Sequence, residues 1–221
     1  MGKYFKYAIG EILLVVIGIL IALQINNWNE NRKNETFENE ILTQIRANLI
    51  KDKLVLNNYT TNAENAVSSL DKILAEDSSI TINDSIKYWL GDVVRFDRFR
   101  ALTNAYEVLK SKGIDKISNN QLQFLLGMYY DDQAVAANIA CYDLEKMFNN
   151  DWIPILKKNV VTHNFGKLVD LQDYSELKIG GEIRNLLILN RDNWSGSNGR
   201  LIKVSTLIDR IIEIINNELN D

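Results

Sequence analysis

Ile12 to Leu23 form an unbroken run of twelve apolar residues with no polar stripe through it. Such a run has no side suited to water, so protein or lipid must enclose it. A hydrocarbon core of about 30 Å takes roughly 20 helical residues, and the flanks supply the remainder. Tyr4, Phe5, Tyr7, Ala8 and Ile9 precede the run, and Ile25 and Trp28 follow it. Tyr4 and Tyr7 at one end and Trp28 at the other put amphipathic rings at the two headgroup levels. The pattern predicts a transmembrane helix over 5–27, a short N-terminus 1–4 and a body 28–221. A cleaved signal peptide would need small residues after its apolar core, whereas Ile21-Ala22-Leu23-Gln24-Ile25 is bulky there.

Lys3 and Lys6 precede the helix, while Arg32 and Lys33 follow it among Glu30, Glu35, Glu38 and Glu40. The positive-inside bias favours a cytoplasmic N-terminus. Within the span Glu11 stands out, because a carboxylate inside a bilayer is by default a functional candidate. At heptad spacing it shares a face with Tyr4, Tyr7, Leu14, Gly18, Ile21 and Ile25. Gly18 and Ala22 form a small-xxx-small pair, which allows close helix–helix approach. Glu11, Leu14, Gly18, Ala22 and Ile25 are thus candidates for a membrane-helix interface. The alternative is a Glu11 that reaches headgroups or water.

The stretch AIGEILLVVIGILIALQINNWNE, Ala8 to Glu30, resembles the N-terminal signature of a family of Gram-negative bacterial membrane proteins catalogued as a domain of unknown function. The likeness is strongest over the first 33 residues. Ala105 to Tyr130, AYEVLKSKGIDKISNNQLQFLLGMYY, is similar to that family's central segment. The resemblance implies one N-terminal inner-membrane helix and a variable helical body. It carries no catalytic residue onto this chain.

The remaining composition narrows the function classes. A net charge of -4 disfavours nucleic acid as partner. One cysteine, Cys141, excludes an intramolecular disulfide framework, and one histidine, His163, excludes a His-rich metal site. Neither a phosphate-cradling glycine loop, nor HExxH, nor GxSxG occurs.

Between Gly18 and Gly91 there is neither glycine nor proline. Over that interval Phe37, Ile41, Ile45, Leu49, Leu56, Tyr59, Ala63, Ala66, Leu70, Ile73 and Leu74 keep one face at the period of a straight α-helix. The expectation is a single helix from Tyr4 to Leu74 that carries the membrane segment into the body. Glu76 to Ser79 should end it, and Ile82, Asn83 and Asp84 should open a helix to Val94. Arg95-Phe96-Asp97-Arg98-Phe99-Arg100 reads as a charged helix–helix junction. A short helix to Lys112 should close on Gly113 in a left-handed cap. Ser118 to Gln121 has the spacing of a capping box, opening a helix to Asn149. Residues 160–173 read as a loop, and Gly181 to Leu219 as one long helix across Gly196 and Gly199. Asn190, Asn193 and Ser197 interrupt its apolar face and form a candidate polar pocket.

The expected fold is therefore all-α: an N-terminal transmembrane helix continuing into an antiparallel bundle of about four helices. The expected function is a non-enzymatic, inner-membrane-anchored structural or interaction subunit with a periplasmic body, without cofactor or metal. Its partners would be the lipid bilayer and either further copies of itself or another membrane protein. The alternative is a sensor-like bundle that binds a small ligand and signals through a partner membrane protein.

Overall fold

A computed structural model describes residues 2–75 and 84–220, with side chains from Gly10 onward. The expected helix stop at Glu76–Ser79, the residues Ile82 and Asn83, and the side chains of Tyr4 and Tyr7 lie outside the described residues. The first helix, α1 (Gly2–Ala75), is a single element of 74 residues, about 110 Å long at 1.5 Å per residue. There is no break at Asn26 to Asn31. The face anticipated from the 3.6 period is the buried one, from Ile41 to Ile73.

The body is an up-down-up-down arrangement of four columns. The upper part of α1 is the first. The second descends alongside it: α2 (Ile86–Val93), an extended segment through Arg100, then α3 (Asn104–Lys112). The N-cap position of α2 is Ser85, not Asp84. Gly113 does end α3, but at φ 107 and ψ 127, a conformation outside the left-handed helical cap and open to glycine alone.

The third column rises as α4 (Asn120–Gly127), α5 (Ala134–Met147) and α6 (Ile153–Asn159), joined by π-helical turns at Met128–Gln133 and Phe148–Trp152. Its core residues fall at Leu126, Tyr130 and Ala134, then at Leu144, Phe148 and Trp152. Successive four-residue steps would walk the face around an α-helix, and the wider π turns cancel that drift. Pro154 follows the second π turn inside the column, so the rise continues past Asn149 to Asn159.

The column's cap differs from the sequence expectation. Asn119, not Ser118, is the N-cap, its side chain accepting from the Leu122 N–H at 3.0 Å. Ser118 instead donates its N–H and hydroxyl to Glu38 on α1, at 2.7 and 2.9 Å.

The expected loop after α6 contains an antiparallel hairpin, β1 (Val160–Asn164) with β2 (Leu168–Leu171). Two strands alone are marginal in water; here β2 lies on α2. Gly91 makes that possible, because a Cβ there would stand 2.3 Å from the Leu168 nitrogen. The fourth column, α7 (Glu182–Asn220), descends unbroken through Gly196 and Gly199 for 39 residues. It runs antiparallel to α1: Arg184 reaches the Leu74 carbonyl at 2.7 Å near one end, and Arg46 reaches Asn216 at 2.8 Å near the other.

Candidate functional site

The non-helical stretch of the second column explains the buried carboxylate of α1. A chain that leaves helical geometry inside a core must find partners for its backbone. Asp52 supplies one. It is almost fully buried on the inward face of α1, between Leu49 and Leu56. Its two oxygens accept the Leu102 N–H at 3.1 and 3.2 Å, and one accepts the Tyr129 hydroxyl at 2.7 Å. Asn138 donates to the Phe99 carbonyl at 2.5 Å from the opposite side. Asn48 donates to Asn104 at 2.7 Å, and Asn62 to Asp97 at 2.9 Å.

Burial holds the Asp52 carboxyl above the usual range, opposed by the hydrogen bonds from Tyr129 and Leu102. The Tyr129 hydroxyl is raised in turn by its own burial and by that carboxylate. Both adjacent tyrosines point inward because the first π turn begins at Met128. Tyr130 stacks on Tyr106 with ring centroids 4.3 Å apart, and the Tyr106 hydroxyl donates to Asp131 at 2.7 Å. Sequence reading passed over Asp52, although the helical phase between Leu49 and Leu56 requires an inward residue there.

The charged hexapeptide Arg95–Arg100 is extended and largely paired. Arg95 contacts Asp97 at 3.0 Å, and Arg98 binds Glu145. Phe99 is buried, and Phe96 packs on Phe148 and Phe165 at 5.2 and 5.3 Å between ring centroids.

The three residues of the candidate polar pocket separate. Asn193 and Ser197 line a cleft of about 220 Å³ between α5 and α7, with Asp143, Asp192 and Arg200 on its walls. Ser197 donates to the Ala140 carbonyl at 3.2 Å, while exposed Asn193 reaches only the Met147 sulfur at 3.8 Å. Asn190 does not line this cleft; it is buried, and its Oδ1 has no hydrogen-bond partner among the described residues. Cys141 is buried beside Tyr59, and burial pushes its thiol up to about 11, which leaves it unreactive as a nucleophile.

On the lower half of α1, Leu14 and Ile25 are exposed, as are Glu11, Gly18 and Ala22 around them. Every large apolar side chain from Ile12 to Ile25 is at least 45% exposed, on all sides of the helix. The most apolar 18-residue window has a mean hydropathy of 1.8, and none of it is buried. This helix is long and apolar enough to cross a membrane. Trp28 lies just beyond the run, with the Arg32 guanidinium 5.5 Å from its ring.

A family model described as a family of unknown function, DUF6090, matches residues 11–124, just over half of the chain. The chain belongs to that family. The match begins at Glu11 and ends inside α4, so it takes in α1, the descending column and the Asn119 cap. Asn48, Asp52 and Asn62 lie within the DUF6090 region together with their partners Asn104, Leu102 and Asp97; Tyr129 and Asn138 lie beyond it. No curated protein and no solved structure matches the chain.

Proposed function

We propose that this protein is a non-enzymatic, membrane-anchored structural or interaction subunit. In this reading it resides in the inner membrane of a Gram-negative bacterium, with a cytoplasmic N-terminus and a periplasmic helical body. One observation carries the proposal: the apolar segment of α1 packs against none of the other described residues, yet it belongs to the same helix as the body's first column. A contiguous apolar surface of that size marks a membrane or a partner. The unbroken helix makes the anchor a rigid part of the body, so a displacement of one is felt by the other. The Glu11, Leu14, Gly18, Ala22 and Ile25 face would meet another membrane helix.

Alkaline carbonate extraction of cell membranes, with thiol labelling of surface cysteines by a membrane-impermeant reagent, tests this reading. Retention in the pellet and labelling of Ile139→Cys, an exposed position on α5, in cells opened only at the outer membrane are expected. Release into the supernatant would overturn the anchor. Labelling only after the inner membrane is broken would reverse the topology.

The cleft at Asn193 and Ser197 favours a second reading, a sensor-like body that binds a small polar ligand and signals through a partner membrane protein. Its 220 Å³ falls below the ~300 Å³ at which ligand pockets usually begin, so the anchor reading is preferred.

A further inference from the structure

The upper third column and the first turns of α7 leave a cleft between them, at the end of the body away from the membrane segment. It holds about 490 Å³, within the range of small-molecule sites. It shares no residue with the smaller cleft at Asn193 and Ser197. Its apolar lining is Met147, Pro154, Ile155, Ile183, Leu186 and Leu189. Ile183 is buried, whereas Leu189 is 62% exposed and Pro154 is exposed with it. None of the described aromatic rings lines the cleft. Its apolar surface therefore suits an aliphatic chain, to which the flexible Met147 can adapt.

Charged side chains line the same cleft: Asp151, Glu176 and Glu182 against Lys158. Glu176 accepts the Glu182 N–H at 2.8 Å, at the start of α7. None of these charges forms an ion pair among the described residues. Lys146, Lys157 and Lys178 are close in sequence but do not line the cleft. Three carboxylates thus oppose one ammonium beside an apolar surface. Asn150 and Asn185 add side-chain amides to the lining, each able to donate and to accept.

We infer that this cleft binds a short basic peptide, a di- or tripeptide with free ends and an aliphatic side chain. Its ammonium groups meet Asp151, Glu176 and Glu182, and its terminal carboxylate meets Lys158. Its peptide unit meets the amides of Asn150 and Asn185. Its aliphatic side chain lies on Met147, Ile155 and Leu186. Each charge in the lining then faces a counter-charge, and hydrogen bonds between ionised groups are the stronger kind.

Size and position weigh against a partner helix or a lipid. From Met147 to Asn159 the cleft is about 18 Å long. A partner helix ~10 Å wide laid along it would hide ~360 Å² over the two surfaces, well short of the ~1,000 Å² of a specific interface. Arg184, between two lining residues, reaches the Leu74 carbonyl, and Leu74 stands about 70 Å along α1 from Trp28. In the anchored protein the cleft therefore opens to water, far from the acyl chains.

Methyl NMR of the full chain, isotope-labelled at its methionines and held in nanodiscs of a zwitterionic lipid, tests the inference. Met147 lines the cleft, and Met128 on the same column does not. Lysyl-leucine should shift the Met147 methyl signal saturably and leave that of Met128 in place. It should bind about ten-fold or more tighter than glutamyl-leucine, and than the diamine cadaverine, which lacks the carboxylate and the aliphatic side chain. Asp151→Asn, at an exposed position without an ion pair, should weaken lysyl-leucine several-fold and leave the melting temperature unchanged. The inference is overturned by any of these results: no saturable shift at Met147, glutamyl-leucine or cadaverine binding as tightly as lysyl-leucine, or unaltered affinity in Asp151→Asn. Such a failure leaves the anchor reading untouched, since the cleft lies wholly in the body and carbonate extraction reads the anchor separately.

Discussion

Asp52 is the residue whose chemistry is most displaced by the fold. It is a buried carboxyl whose two oxygens serve one backbone N–H and one phenol, and its pKa lies above the unfolded-chain value of 3.8. The folded state therefore holds that proton more tightly than the unfolded state does. Its contribution to stability is fully present below the unfolded value and is lost as the pH rises through the raised folded value. Thermal melts of wild type and Asp52→Asn across pH should thus diverge from about pH 4 upward, with wild type falling faster. Parallel profiles would contradict this. Tyr129→Phe removes a hydrogen bond that stabilises the charged form, so it should cost about 1.5–3 kcal/mol above the transition and extend the sensitive window to higher pH. Nothing about Asp52 as a residue type announced this role. An isolated acid between a lysine on each side, Lys51 and Lys53, reads as a solvated surface position. Only its helical phase, in line with Leu49 and Leu56, turned it inward.

At the scale of elements, the long helices were legible because apolar periodicity persists over many turns and outweighs local exceptions. Helix α7 keeps its phase through Gly196 and Gly199, and the structure keeps the helix. Those glycines are exposed, and an added Cβ would meet nothing within 4 Å at either. Gly196→Ala and Gly199→Ala should therefore each stabilise the body by about 0.5–1 kcal/mol, read as a rise in melting temperature. A fall at both would mean that α7 breaks there in solution. The hairpin over 160–173 was not legible. Its strands are five and four residues long, and they are held by α2, a contact that depends on Gly91 far away in sequence, and by Phe165 packed on Phe96 and Phe148. The Asn119 cap was missed for a similar reason. Ser118 had the right spacing for a capping box, but Glu38 on α1 draws its hydroxyl elsewhere. The π turns follow from core positions four residues apart, a departure from α periodicity that is small in any one step.

Over the whole molecule, one helix links two environments. Its lower half packs against none of the other described residues, and its upper half is the spine on which the descending column and α7 pack, with the third column lying on α7. Buried polar residues on that spine, Asn48, Asp52 and Ser69, fix the descending column, whose middle is not helical. Of the residues that interrupt the apolar face of α7, Asn193 and Ser197 share a cleft while Asn190 lies in the core. Membership of DUF6090 accounts for the spine and the descending column, but assigns no activity. The central claim is that the anchor and the body are one rigid rod. It is tested most directly by the electron–electron distance between spin labels at Leu20→Cys and Lys51→Cys in nanodiscs, diluted with unlabelled chain. An unbroken α-helix predicts one narrow distribution near 46 Å, from 31 residues at about 1.5 Å each. A broad distribution, or one centred well below that distance, would mean a hinge between membrane and body and would contradict the account.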